Sequence, residues 1–422
     1  MQSDYSILKD MFKINEKNID RLTIAEEEVQ PILKLYNSVK EFNQYKVLHA
    51  MQESGLNEQH FQWATGYGYD DAGREKLEEV YARVFKTEDA IVRPTIVNGT
   101  HALSLTLSAL LNSGDEMLSV TGSPYDTLHE LIGITGNYSQ SLKKIGVIYK
   151  EIDFLESGDV NYKAIEKKVK SNTKLVYIQR STGYAFRKAI DITSIEKIIK
   201  IVKMKNKNTI CMIDNCYGEF LETREPTEVG ADILAGSLIK NPGGGLALTG
   251  GYVVGKKSLI EDISYRMTSP GIGKECGLTF GLSRSLFQGF FIAPHVVIEA
   301  LRGAILCSKL FENEGYLVSP KYNEPRSDII QGIQLNNKDK VIAFCKAVQE
   351  AAPVNAFVSP EPWAMPGYND PVIMAAGTFI QGSSIELSAD APIREPYNVY
   401  FQGGLTYEHA KLGAVKALQS VI

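Results

Sequence analysis

Between residues 90 and 255, short apolar runs alternate with helix-length amphipathic segments, and that alternation leaves few folds open. Runs at 90–93, 116–120, 146–150, 175–179, 209–214, 233–237 and 252–255 have the length and β-branched content of strands. Segments of helical period lie between most of them, notably 100–111, 162–170 and 195–203. The pattern predicts βαβ units and a mostly parallel sheet. Ligands of such sheets sit at the carboxyl ends of the strands, and three polar groups fall there: residues 95–100, 214–217 and 237–240.

The third group is the most telling. Lys240 ends an apolar run, Ser237-Leu238-Ile239, and is followed at once by Asn241-Pro242-Gly243-Gly244-Gly245, where the backbone must turn sharply and lie close to something. An apolar pocket would disfavour the ammonium, lowering the pKa and freeing a nucleophilic amine for Schiff-base chemistry. Three chemical readings compete. Lys240 can be the lysine of a pyridoxal phosphate enzyme, with the Ser237 hydroxyl on the phosphate. Ser237-x-x-Lys240 can be the nucleophile and base of a penicillin-recognising acyl transferase, but the S-D-N and K-T-G elements that chemistry needs do not occur. Residues 250–256 fit a P-loop spacing, but Lys257 stands where Ser or Thr should hold magnesium. The plain alternative is a glycine-rich turn between two buried strands.

The other two groups read as follows. Asn98-Gly99-Thr100 opens a long apolar helix, whose free N–H groups and dipole suit a phosphate; an ordinary N-cap by Asn98 explains the same residues. Asp214 closes a buried run and needs a cation, either a protonated pyridine nitrogen or an arginine. Upstream, Gly66-Tyr67-Gly68-Tyr69 is a pliable loop whose tyrosines can be simple turn residues.

Residues 1–60 read as a helical arm or cap. Past 255 come a long helical region at about 280–311 and then a mixed segment, in which 382–394 reads as a strand followed by a turn exposing Arg394. The expected organisation is an arm at 1–60, a large α/β domain at 61–295 and a smaller α+β domain at 296–422. With 44% apolar and 23% charged residues among 422, such a chain buries a sizeable core without staples. Cysteines at 211, 216, 276, 307 and 345 show neither metal spacing nor a disulfide framework, so a reducing cytoplasm and no metal are expected. No segment reads as a signal peptide, and the apolar run 289–306 is interrupted by His295, Glu299 and Arg302, so no membrane span is expected. A net charge of −5 with interspersed signs gives no stripe for nucleic acid.

Taken in order, N-G-T at 98–100, S-P-Y-D-T at 123–127, D-N-C-Y at 214–217 and S-L-I-K at 237–240 resemble fold type I pyridoxal phosphate enzymes. Within that class the chain resembles the cystathionine and methionine lyases of Cys/Met metabolism. Closer still, G-Y-G-Y-D-D-A-G-R at 66–74, I-Q-R-S-T-G-Y at 178–184, D-N-C-Y-G-E at 214–219, S-L-I-K-N-P-G-G-G at 237–245 and E-L-S-A-D-A-P-I-R at 386–394 resemble the bacterial methionine gamma-lyase-like family labelled aluminium resistance proteins. The likeness runs from about 66 to 407.

The resemblance implies a role for each matching residue. Lys240 would form the internal aldimine with pyridoxal 5'-phosphate and later remove the α-proton. Asp214 would keep the pyridine nitrogen protonated, and Tyr125 would stack on the ring. Gly99, Thr100 and Ser237 would hold the phosphate, joined by Tyr67 from a neighbouring subunit of a homodimer or homotetramer with shared active sites. Tyr217 would donate to the ring O3′ or pack beside it. The sequence also departs from the group: Ile239 removes a phosphate hydroxyl, Tyr69 replaces an arginine for which Arg74 is the candidate substitute, and Glu386 stands where the substrate-carboxylate arginine belongs, leaving Arg394 as its replacement. The expected activity is a carbon–sulfur lyase on a sulfur-containing or other β/γ-substituted amino acid. The alternatives are a weakly catalytic or non-catalytic pyridoxal phosphate protein with a stress or regulatory role, and an aminotransferase or racemase on the same cofactor.

Overall fold

A computed structural model of the protein describes residues 5–422. Seven strands form the central sheet: β1 (Asp89–Arg93), β2 (Glu116–Ser119), β3 (Ile148–Glu151), β4 (Thr173–Gln179), β5 (Ile210–Asp214), β6 (Ile233–Ser237) and β7 (Gly251–Gly255). Their spatial order is β1-β7-β6-β5-β4-β2-β3, and β7 alone runs against its neighbours. The mostly parallel α/β sheet expected from the alternation is therefore present, and each expected strand lies within about two residues of its observed place.

Parity along the strands explains why the central ones read as unbroken apolar runs. In β5, Ile210 and Met212 face one side, against the helix Gly99–Leu110, while Cys211 and Ile213 face the other, toward the helix Ile192–Lys205. A sheet covered on both faces has no solvent side on which to place polar residues. β3, at the edge, is the exception and is half exposed.

The second sheet is antiparallel, in the order β10-β11-β12-β9-β8, built from β8 (Leu317–Ser319), β9 (Gln331–Gln334), β10 (Val372–Ala375), β11 (Ser388–Pro392) and β12 (Asn398–Gln402). Between the sheets runs the helix Ser283–Asn313, which crosses the boundary expected at 295. It is long and apolar enough to cross a membrane, but 78% of its most apolar stretch is buried inside the protein. Glu299 and Arg302, which interrupt that stretch, pair with each other at 2.7 Å. The described part of the N-terminal segment is helical, dominated by a helix of 38 residues, Glu16–Glu53, whose Leu22, Ala25, Val29, Leu33 and Val47 lie in the same core as the central sheet.

Glu219 lies fully buried behind β5 and β6. Tyr252 donates to its Oε1 at 2.6 Å, Oε2 has no partner among the described residues, and burial pushes the carboxyl up to about 8. A folded pKa above the unfolded value of about 4.3 means that the folded protein favours the protonated form. The stability this contributes is complete below the unfolded pKa and is lost as pH rises toward 8. Glu219→Gln keeps an acceptor for Tyr252 and cannot ionise. Its melting temperature should exceed that of the wild type by several degrees at about pH 9, with the gap closing near pH 5. Parallel melting-temperature curves for the two proteins across that range would refute the assignment.

Candidate active site

Every parallel strand ends on the same edge of the sheet, and the polar groups singled out above converge there on one cavity of about 370 Å³. β1 leads to the helix Gly99–Leu110, where Asn98 Oδ1 accepts from the His101 N–H at 2.8 Å and leaves the first turn's other donors free. Gly99 sits close to its neighbours: a Cβ there would stand 3.1 Å from Cys216 Sγ and 3.2 Å from Ser237 Cβ, tighter than ordinary contact. Ser237, the last residue of β6, is 1% exposed, and its Oγ has no partner among the described residues. An orphaned buried hydroxyl beside a helix start is the signature of an anion site.

Asp214 closes β5 with a carboxylate that accepts from the Tyr177 hydroxyl and the Cys216 N–H, both at 3.1 Å. Burial raises its pKa, and the nearby Lys240 ammonium opposes that rise. The chain then turns through Tyr217, held at a φ of 70°, a left-handed conformation rare for an aromatic residue and typical of functional sites. Its ring lies 4.0 Å under Lys240 Nζ, and its hydroxyl bonds Ser384 Oγ at 2.7 Å. The glycines after Lys240 exist for packing: a Cβ on Gly244 would lie 2.4 Å from the Gly289 carbonyl of the long core helix.

The electrostatics of Lys240 differ from expectation. Burial by itself would depress the ammonium, but Cys216, Tyr217, Asp214 and Glu219 together outweigh it, and the pKa rises above the ordinary lysine value. Apolar neighbours along the sequence are not its neighbours in space.

The remaining walls come from elsewhere. Tyr125, Tyr184 and Tyr368 form an aromatic wall, with Tyr125 and Tyr368 sharing a hydroxyl hydrogen bond of 2.8 Å. The second sheet supplies the floor through Met374 of β10, Ser388 and Asp390 of β11 and Gln402 of β12. These floor residues, with Tyr184 and Tyr368, were not singled out individually in the sequence, although Tyr184, Ser388 and Asp390 stand inside motifs that were.

The cavity thus unites Gly99, Thr100, Tyr125, Asp214, Tyr217, Ser237 and Lys240. Tyr67 and Arg394 are not among its lining residues. Tyr67 is 75% exposed and packs on Tyr69 with ring centroids 5.5 Å apart. Arg394 pairs with Asp370 at 3.0 Å and borders a neighbouring hollow that shares Tyr125 and Tyr184 with the cavity. Arg74, 1% exposed, gives its guanidinium to the carbonyls of Gly68, Glu275 and Gly277, so it fastens the tyrosine loop to the 275–277 segment. Glu386 accepts from the N–H groups of Phe379 and Ile380 at 2.8 and 3.0 Å and clamps a loop outside the lining.

This sheet, with a lysine, an aspartate and a helix start at its carboxyl edge, defines the α/β class of fold type I pyridoxal phosphate enzymes. The pyridoxal-5'-phosphate-dependent protein YhfS from Escherichia coli shares the fold, with a TM-score of 0.60 and 16% identity over 92% of this chain and 97% of that one. The chain belongs to the methionine gamma-lyase family, which matches residues 18–422. A carbon–sulfur lyase involved in aluminium resistance from Clostridium novyi NT is 54% identical, has a TM-score of 0.95 and is covered in full, as is this chain. An uncharacterized Bacillus subtilis protein, YnbB, is 50% identical over 399 residues, 94% of this chain and 95% of its own length.

Proposed function

We propose that the protein is a pyridoxal phosphate-dependent carbon–sulfur lyase that, with uptake of one water, cleaves a sulfur-bearing amino acid to a thiol, ammonia and a 2-oxo acid. The observation that carries the reading is the meeting of Lys240, Asp214 and the orphaned Ser237 hydroxyl in one cavity beside a helix N-terminus.

The residues present fit the cofactor. The Gly99 and Thr100 N–H groups and Ser237 Oγ offer donors to a phosphate, and the glycine at 99 lets the backbone approach it. Asp214 would receive a pyridinium N–H, and Lys240 is the sole lysine of the lining. When bound, the cofactor supplies an electron sink for the carbanion formed at the substrate α-carbon. With the cofactor bound, Lys240 Nζ would be the base for the α-proton, and the buried Asp214 carboxylate would hold the proton on the pyridine nitrogen. Tyr125 offers a flat ring as the stacking surface, and its hydroxyl pair with Tyr368 fixes that ring.

Purified holoenzyme incubated with a panel of sulfur-containing and other β/γ-substituted amino acids should release thiol and 2-oxo acid in equal amounts from at least one sulfur substrate. Oxo acid without thiol, or no oxo acid from any member, would sink the lyase reading.

A further inference from the structure

Two carboxylates line the cavity, and the reaction described above uses only Asp214. Asp390 is the second. Strand periodicity sends Ala389 and Ala391 of β11 into the core and turns Ser388 and Asp390 to the cavity face, with Gln402 of β12 paired opposite Ser388. Asp390 is 8% exposed. Its Oδ2 accepts from Tyr184 Oη at 3.3 Å and from Gln402 Nε2 at 3.1 Å, both neutral donors, while no group among the described residues bonds its Oδ1. Among the residues lining the cavity there is no arginine and no lysine other than Lys240.

A buried carboxylate held only by neutral donors is a costly arrangement unless a cation completes it. With Lys240 and Asp214 committed to the cofactor, Asp390 is the one formal charge of the lining left without a counter-ion. We infer that Asp390 determines substrate specificity by binding a positively charged side-chain terminus, an ammonium or guanidinium, on the sulfur-bearing amino acid. Burial pushes the carboxyl up to about 6, against the pull of Tyr184, Gln402 and Lys240, so it remains largely ionised at neutral pH. A neutral side chain of the same length would displace water from Oδ1 and give nothing back.

The inference rests on the lyase reading, and its test separates the two. The probes are S-(2-aminoethyl)-L-cysteine and its neutral isostere S-propyl-L-cysteine, presented to the holoenzyme. Thiol release gives kcat/KM, and titration of the cofactor absorbance gives Kd. The wild type should favour the aminoethyl compound by about 100-fold in both ratios, and Asp390→Asn should reduce that preference to within a few-fold of unity. Asp390→Glu, which keeps the charge, should retain much of it. Equal use of the two probes by the wild type overturns the inference. So does an Asp390→Asn protein whose ratio is unchanged because both probes suffer alike, since that marks a residue that merely balances Lys240. If neither probe yields thiol, the lyase reading fails for this class, while the ratio of Kd values still decides the role of Asp390. If thiol is released with no preference, the lyase reading stands and the inference falls.

Discussion

Lys240→Ala is expected to reduce thiol release by more than about 10⁴-fold, to the limit of detection in a single-turnover assay. Two losses combine. The cavity loses its only lysine amine, so neither covalent attachment of the cofactor nor removal of the α-proton has a group to perform it. Asp214, buried at the end of β5, also loses the ammonium that opposes the effect of burial on its carboxyl. The variant should still fold, because Lys240 borders a cavity and makes no buried ion pair with another element. Cofactor added to it should be held by the phosphate site alone and exchange freely on dialysis. Added methylamine should restore a small fraction of the proton-transfer rate, because it can enter the space that the side chain vacates. Turnover within about tenfold of wild type would mean that another residue supplies the amine.

Asp214→Asn should lower turnover by roughly 10²- to 10⁴-fold while leaving much of the cofactor bound, a separation that removal of Lys240 cannot produce. The reason is local. Asparagine can still accept from the Tyr177 hydroxyl or the Cys216 N–H, so the end of β5 keeps its shape. What disappears is the negative charge, and a neutral amide cannot hold a pyridinium proton in a low-dielectric site. The phosphate donors of Gly99, Thr100 and Ser237 are untouched. Holoenzyme absorbance and thiol release measured on the same preparation check the claim; a variant with full cofactor and full turnover would remove Asp214 from the chemistry.

The parts of this architecture that were legible in the sequence are those in which cause and effect lie close along the chain. An apolar run ended by a polar residue gave β5 with Asp214 and β6 with Ser237, because a strand buried on both faces can afford a functional group only at its end. The helix start at Asn98-Gly99-Thr100 was legible for the same reason. What escaped depends on contacts between distant segments. Tyr368 lies in a loop with no periodic signal and meets Tyr125 across 243 residues. The strand and turn read at 382–394 are present, as Ser388–Pro392 followed by an exposed Arg394, but the clamp that Glu386 makes on Phe379 and Ile380 joins segments the sequence does not connect. The small residues at 389 and 391 held a period-two signal that could have turned Asp390 toward the cavity. The direction of the Lys240 shift was missed because it arises from Cys216, Tyr217, Asp214 and Glu219, which are brought to it by the β5 turn.

Borohydride reduction of the holoenzyme, followed by digestion and mass spectrometry, tests the central claim most directly. Reduction should bleach the visible band and fix the pyridoxyl group on the single peptide that contains Lys240, at about one group per chain. A pyridoxyl group found on any other lysine, or a cofactor that stays dissociable after reduction, would contradict the account.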